Sequence, residues 1–465
     1  MYNMAVDRRT AGAVHIEKAG ARERISTLTA QMLEREHWPH EQLLAYQEKR
    51  LGEMVRHAVA HSPYYREAIG DVRVDDVDLQ QLPVLTKTTL MAEFDRIVTD
   101  NRLHLADLEQ HLASEWAADP LFGEYRIVGT GGTTGQRGIS VYDQSAWEVA
   151  VASVPRAMTV QGLSAETRVI GIGAPTALHM TNRLFAELRA GQSDAPRLAV
   201  TTPLPEMVEA LNAYQPEAVI TYPSLIRRLA EEQSAERLQI APRQFCSVAE
   251  TLTNDVRELA RETWGAAVLN VYASTEANLI GTECPWTSGL HVAEDLLVLE
   301  VVDENNRPVP PGVTGHKVLV TNLFNRALPF IRYELSDLVT IAKGPCLCGR
   351  SHLRLQSVEG RREDILTLPA RNGGRVDVHA FLLGETLLHM PAVQQYQLSP
   401  RPDGLLVKVV LRDTAAAGDV LQSARSAIAA ELDRLGAVVE TLAIEVTDEI
   451  GRSGTGAKAK LVSAA

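Results

Sequence analysis

The sequence predicts an α/β fold: a large N-terminal domain of mixed and parallel sheets covered by helices, carrying a β-barrel-like subdomain, followed by a small α+β C-terminal domain. Three observations predict it. Short apolar strands alternate with helical stretches through the middle of the chain. Strand pairs joined by turn-forming residues follow near 290–345. Beyond Gly360-Arg361-Arg362-Glu363-Asp364 the pattern changes to strands bracketing one amphipathic helix. At 465 residues the chain exceeds what one hydrophobic core usually serves, and the expected division is 1–362 and 363–465.

Residues 25–102 read as mostly helical, with Leu43, Leu44, Leu51, Met54, Val55 and Ala58 at helical spacing and with Pro63 and Pro83 as breaks. Strands are expected at 168–172, 218–221 and 267–272, separated by helix-like segments in the manner of a parallel sheet with crossover helices. Strands at 296–302 and 316–321 flank the turn Asp303-Glu304-Asn305-Asn306-Arg307-Pro308 and the loop Pro310-Pro311-Gly312, an antiparallel or barrel-like appendage. In the last hundred residues, strands at 405–411 and 442–446 bracket a helix at 420–435 whose Leu421, Ala424, Ile428, Leu432 and Leu435 share one face. No internal repeat or low-complexity tract interrupts this order.

Composition narrows the function. Lys+Arg of 46 against Asp+Glu of 59 leaves a formal net charge of −13, which disfavours broad attraction to nucleic acid or anionic lipid and favours a small-molecule substrate. No apolar run reaches membrane-spanning length, and the start MYNMAVDRRTAG is mixed and polar; a cytoplasmic protein is expected. The sequence does not name the oligomeric state, a homodimer being one option. Four cysteines, Cys246, Cys284, Cys346 and Cys348, do not form a secreted disulfide framework, which leaves metal binding or burial.

The run Thr130-Gly131-Gly132-Thr133-Thr134-Gly135 is the most informative single feature. Glycines let a backbone turn tightly beside a polyphosphate, and amides and threonine hydroxyls donate to its oxygens. ATP-driven activation of a carboxylate needs such a cradle, a carboxylate for Mg2+, a ribose anchor and a cation near the α-phosphate. In chain order the candidates are Thr130 to Gly135, Glu276, Asp337 and Lys458, with Thr133, Glu276 and Lys458 as the catalytic set.

Over nearly its whole length the chain resembles the adenylate-forming superfamily, in its phenylacetate-coenzyme A ligase-like branch. The resemblance is carried by Arg50-Leu51, His61-Ser-Pro-Tyr-Tyr-Arg66, Leu82-Pro-Val-Leu-Thr-Lys87, the 130–135 loop, Thr221-Tyr-Pro-Ser224, Ala249-Glu250, Asn270-Val-Tyr-Ala-Ser-Thr-Glu276, Ile331-Arg-Tyr333 through Asp337, the hinge-like 360–365 segment and Gly456-Ala-Lys458-Ala-Lys460. It implies that Tyr272 stacks on adenine and that Glu276 binds Mg2+. It also implies that Ala249, Glu250, Asn270, Ala273, Ser274, Thr275, Asp337 and Arg361 lie along the nucleotide, and that Lys458 is the catalytic lysine. The C-terminal domain is then mobile, rotating about a hinge at Glu363 between adenylation and thioester formation, because one lysine cannot hold the α-phosphate while a second nucleophile enters the same face. The chain departs from the family pattern at Gln136-Arg137, Asn270, Ala273 and Ala457. Ala273 adds a methyl group where the acid would lie, which reshapes the pocket, and Ala457 alters the loop before the lysine.

Cys346-x-Cys348 together with Cys284 and His291 offers three thiolates and one imidazole, a donor set for a structural tetrahedral Zn2+ that would hold the β appendage to the main domain; the branch has members with a metal at matching positions. Cys246, beside Phe245 and Val248, reads as a core thiol. The acid pocket is expected from Ala174, Thr176 and His179 together with Tyr222, Ala273 and Ser274, at the strand ends where such sheets bind ligands. An aromatic acid and coenzyme A are implied by the resemblance. Transfer to a carrier protein, an amine or another acceptor, nitrite activation, and a non-catalytic nucleotide-binding protein are the alternatives; the presence of both Glu276 and Lys458 argues against the last.

Overall fold

The computed structural model describes residues 8–70, 77–114, 116–129, 138–190, 194–361, 364–371, 373–388, 390, 392–401, 404–411, 417–450 and 462. The chain opens with helices α1 (Arg8–Arg35), α2 (His40–His61), α3 (Pro63–Ile69), α4 (Lys87–Ala92), α5 (Phe94–Ile97) and α6 (Leu105–Ala113). Ser62 separates α2 from α3 as a side-chain cap, accepting from the Tyr65 amide at 3.3 Å, and Pro63 occupies the first turn where its missing N–H costs nothing. Leu43, Met54, Val55 and Ala58 are buried on one side of α2, as their spacing predicts.

A hairpin, β1 (Arg126–Gly129) with β2 (Ile139–Tyr142), flanks the glycine-threonine run, and helix α7 (Gln144–Val160) follows, capped by Asp143 accepting from the Ala146 amide at 2.7 Å. Then come β3 (Val169–Gly171), α8 (Met180–Ala190), α9 (Leu204–Tyr214), β4 (Ala218–Thr221), α10 (Pro223–Ser234), β5 (Gln244–Ser247), α11 (Asn254–Trp264) and β6 (Ala267–Ser274). Strands β3 to β6 pair in parallel and in sequence order, as the alternation predicts. Residues alternate between two cores: Ile170, Val219, Phe245 and Val268 pack with α9 to α11, and Val169, Ala218, Ile220 and Cys246 pack with Met158 and Phe185 of α7 and α8. Gly171 is required where Phe185 lies on the sheet, since a Cβ there would sit 2.6 Å from the ring.

The sheet then continues antiparallel. Strands β7 (Asn278–Cys284), β8 (Thr287–Val292), β12 (Asp337–Ile341) and β13 (Arg354–Arg361) extend it to eight strands in the order β12-β13-β8-β7-β6-β5-β4-β3. Between them, β9 (Leu297–Val302), β10 (Lys317–Asn322) and β11 (Tyr333–Leu335) form a separate three-stranded antiparallel sheet, which matches the expected appendage.

The last part contains β14 (Ile365–Pro369), β15 (Arg375–His379), α12 (Ala380–Leu388), β16 (Val393–Arg401), β17 (Gly404–Leu411), α13 (Ala417–Arg434) and β18 (Thr441–Val446). Strands β16-β17-β18 form one sheet, with β17 and β18 parallel across α13. Its core, from Leu366 to Ile444, contains only residues beyond 365, and Ala424, Ile428 and Leu432 supply the predicted helical face.

Candidate active site

The strand ends converge on two tyrosine–carboxylate pairs. Tyr272, near the end of β6, donates its hydroxyl to Asp337 Oδ2 at 2.9 Å. Tyr333, on β11, donates to Glu276 Oε1 at 3.3 Å. Burial foremost, and then the facing carboxylates, push both phenols above their ordinary range, so each stays a donor. Arg361, at the end of β13, brings Nε to 3.6 Å from Asp337 Oδ1. The peptides around Glu276 are fixed as well: Tyr142 donates to the Thr275 carbonyl at 2.6 Å, and Asn322 Nδ2 to the Glu276 carbonyl at 3.2 Å.

Ala249 takes a left-handed φ of 68°, and the turn that this makes carries Glu250 back to the start of α10, where it accepts from the amide and the hydroxyl of Ser224, each at 3.1 Å. The end of β13 lies close by: a Cβ on Gly360 would be 3.6 Å from Thr251 Oγ1. Asn270 is held by its backbone, its amide donating to Glu283 Oε2 at 2.7 Å and its carbonyl accepting from Gln161. Ser274 Oγ accepts from the Ala277 amide at 3.0 Å, which ties it into the turn before Asn278. Thus Tyr272, Asp337, Arg361 and Glu276 with its neighbours meet at one end of the sheet, and the segment after Ala249-Glu250 adjoins the end of β13.

Thr130, Gly131, Gly132, Thr133, Thr134, Gly135, Glu363 and Lys458 lie outside the described residues. Their flanks are defined. The Gly129 amide, just before the loop, donates to the Leu178 carbonyl at 2.7 Å, which joins the end of β1 to the 174–179 segment. Val462, four residues past Lys458, bridges to Leu398 of β16.

Of the expected acid-pocket residues, Ala174, Thr176 and His179 follow β3 and Tyr222 follows the adjacent β4, the two strands being tied together by Thr221 donating to the Ile172 carbonyl at 2.9 Å, while Ala273 and Ser274 end β6, on the other side of β5. Ala174, His179 and Tyr222 are buried, Thr176 and Ala273 are exposed, and Ser274 is half-buried. Arg183 pins the segment, donating to the Ala177 carbonyl at 2.6 Å; burial, and the charge of Arg126, push its guanidinium down to about 10.

Cys284, His291, Cys346 and Cys348 come together, their donor atoms all within 4.8 Å of one another. Cys284 Sγ and Cys346 Sγ are 3.6 Å apart, and Cys348 Sγ is 3.3 Å from His291 Nε2. The edges of a tetrahedral Zn2+ shell with ordinary bond lengths are about 3.6–3.8 Å, so this donor set fits zinc. Protonation favours ligation at two of the donors, whereas burial pushes the Cys284 thiol up from its ordinary value. Burial, and then Arg350, push His291 down to about 4, keeping the imidazole neutral, while burial's upward push on Cys346 is outweighed by the Thr287 hydroxyl and the neighbouring sulfurs, which bring it to about 7. The placement corrects one expectation. Cys284 and His291 sit on β7 and β8 of the eight-stranded sheet, so the cluster joins that hairpin to the loop after β12 and does not attach the three-stranded appendage. Cys246 is a core thiol, pushed up to about 12 by burial.

Sequence reasoning assigned no role to Tyr142, Asn322, Tyr333 or Arg183. For Tyr333 a signal existed: it precedes Asp337 by the four positions that separate Tyr272 from Glu276.

A model of the AMP-binding enzyme family matches residues 125–320. A phenylacetate-coenzyme A ligase of Thermus thermophilus is 27% identical over 454 residues, covering 90% of this chain and 92% of that protein. A phenylacetate-coenzyme A ligase of Escherichia coli is 24% identical over 400 residues, covering 81% and 84%. Among solved structures, a 2-hydroxyisobutyryl-CoA ligase in the postadenylation state superposes with a TM-score of 0.72 at 20% identity, covering 93% of this chain and 91% of that one, which is a likeness of fold.

Proposed function

Since the chain belongs to the adenylate-forming superfamily, in its phenylacetate-coenzyme A ligase-like branch, and is an AMP-forming acid–coenzyme A ligase, we propose that its substrate is a small aromatic carboxylic acid. The acid's carboxylate attacks the α-phosphorus of ATP, the bond to pyrophosphate breaks, and the acyl-adenylate then passes its acyl group to the thiol of coenzyme A as AMP leaves.

The observation that carries the site assignment is the meeting of Tyr272, Asp337, Arg361 and Glu276 at one sheet end. In this reading Asp337 anchors the ribose hydroxyls, Tyr272 lies against adenine, and the Ala249-Glu250 turn borders the base. Glu276 suits a divalent cation: it is buried, and it forms no ion pair with a basic residue among the described ones. Mg2+ held there would neutralise phosphate charge as the reaction proceeds. The 130–135 loop cradles the phosphates, Lys458 stabilises charge at the α-phosphate, and rotation about Glu363 exchanges Lys458 for the thiol. Ala174, Thr176, His179, Tyr222, Ala273 and Ser274 border the acid, and Zn2+ at the cysteine–histidine cluster is structural, since four protein donors leave no open position.

The test is ATP–pyrophosphate exchange across a panel of aryl and alkyl acids, followed by thioester detection with coenzyme A. Exchange with aryl acids and thioester formation are expected. Exchange restricted to short alkyl acids would refute the aromatic assignment. Exchange without thioester would move the second step to another acceptor, and AMP binding without any exchange would leave a non-catalytic protein.

A further inference from the structure

We propose that Tyr333 and Tyr272 are positioning residues that trade hydroxyl groups between two chain segments, and that Tyr333 sets the Glu276 carboxylate to receive a divalent cation. This rests on the functional reading above and deepens it.

Tyr272-Ala-Ser-Thr-Glu276 and Tyr333-Glu-Leu-Ser-Asp337 share one spacing, a tyrosine four residues before a carboxylate. In the fold each tyrosine serves the other segment's acid: Tyr272 donates to Asp337 at 2.9 Å and Tyr333 to Glu276 at 3.3 Å. The first segment leaves the eight-stranded sheet at β6, and the second runs from the three-stranded sheet at β11 to the far edge of the larger one at β12. Both carboxylates belong to the eight-stranded sheet, Glu276 in the turn from β6 to β7 and Asp337 on β12 with three strands between, and the exchange ties them together through side chains, one of them, Tyr333, brought in from the three-stranded sheet.

The donor type matters. A lysine or arginine against Glu276 would cancel the charge that a cation needs, whereas a neutral phenol orients the carboxylate and leaves its charge intact. The main chain on both sides is already held by Tyr142 and Asn322, so the freedom that remains is rotation of the Glu276 side chain, and the Tyr333 hydroxyl restricts it. That hydroxyl engages Oε1, and Oε2 has no hydrogen-bond partner among the described residues. Phenylalanine at 333 would keep the edge-on packing against Phe330, at 5.1 Å between ring centres, and remove only the oxygen.

The experiment is calorimetric titration of the full-length protein with ATP, with and without added Mg2+, and with AMP alone, for wild type, Tyr333→Phe, Tyr272→Phe, Glu276→Gln and the Tyr333→Phe/Glu276→Gln double variant. Tyr333→Phe is expected to weaken ATP binding about five- to tenfold with Mg2+ and less than about twofold without it. Tyr272→Phe is expected to weaken ATP and AMP by similar factors whether or not Mg2+ is added. The double variant should lose no more than Glu276→Gln alone, because the hydroxyl acts through that carboxylate. Equal weakening by Tyr333→Phe with and without Mg2+, an unchanged affinity in both, or additive losses in the double variant would overturn the inference. A wild-type protein that binds ATP equally with and without Mg2+ would instead overturn the assignment of Glu276 beneath it.

Discussion

Arg350 Nε lies 2.8 Å from Glu36 Oε2, which joins the loop bearing Cys346 and Cys348 to the turn between α1 and α2. The neighbouring residues strengthen the joint, for Ser351 donates to the Trp38 carbonyl at 2.6 Å and His352 Nε2 lies 3.3 Å from the Arg35 carbonyl. A cation closing the cysteine–histidine cluster would therefore stiffen the N-terminal helices as well as the sheet edge. Elemental analysis is expected to find about one zinc per chain, and stripping it should lower the melting temperature by roughly 5 °C or more. Amide exchange should rise at residues 35–38 as well as at 346–350. Protection lost in the loop but kept in the turn would refute the mechanical link.

Arg156 is buried between two acids, with Nε 2.7 Å from Glu36 Oε1 and Nη1 2.7 Å from Asp295 Oδ1. Burial pushes both carboxyls up, but the arginines, Arg156 first among them, more than offset it and hold Glu36 below 4.5 and Asp295 below 3.8. The unfolded chain thus binds protons first. The contribution is complete above about pH 4.5 and is lost as pH falls through the depressed folded values. Arg156→Met leaves Glu36 to Arg350 alone and Asp295 to Arg35 alone, and should cost about 3 kcal/mol near pH 7, measured by urea unfolding, and less at about pH 3.5, where the variant's acids, no longer held down by Arg156, take up protons. A loss independent of pH would mean that packing around Arg156, and not its charge, carries the effect.

Local patterns made much of this legible. The apolar runs at 218–221 and 267–272 became β4 and most of β6, and the 3.6-residue periodicity at 420–435 became α13 to within a few residues. The cysteine–histidine set was readable because few residue types make a metal shell and all four stood within 65 positions. Two things were hidden. The sheet turns from parallel to antiparallel at β7, a matter of strand order, which alternation of polarity does not encode. The contacts of Tyr142 and Asn322 with residues 275–276 join positions 46 to 133 apart, and a single sequence carries no signal for such pairs; for Tyr333 the repeated spacing marks the residue but not its partner.

Lys458→Ala should separate the two half-reactions. A cation at the α-phosphate is needed while charge develops there, and not while a thiol attacks the acyl carbonyl. Pyrophosphate exchange is expected to fall on the order of a hundredfold or more, with thioester formation from supplied acyl-adenylate nearly unchanged. Equal losses in both assays would remove Lys458 from its assigned place.

Ala273 offers a separate handle on the acid. It is exposed at the end of β6, its φ is not left-handed, and the pairing with β7 shifts register between Tyr272 and Ala273, so a larger side chain there meets solvent-accessible space. Stability should therefore change by less than about 0.5 kcal/mol in Ala273→Leu. If the acid lies against this position, the added bulk will exclude it: the KM for the preferred acid should rise at least about tenfold, while the affinity for AMP stays within about twofold. Ala273→Gly should act in the opposite sense and admit acids one substituent larger. Because the backbone angles at 273 are ordinary, neither change needs the strand to move, and a parallel loss of AMP binding would show that residue 273 borders the nucleotide instead of the acid.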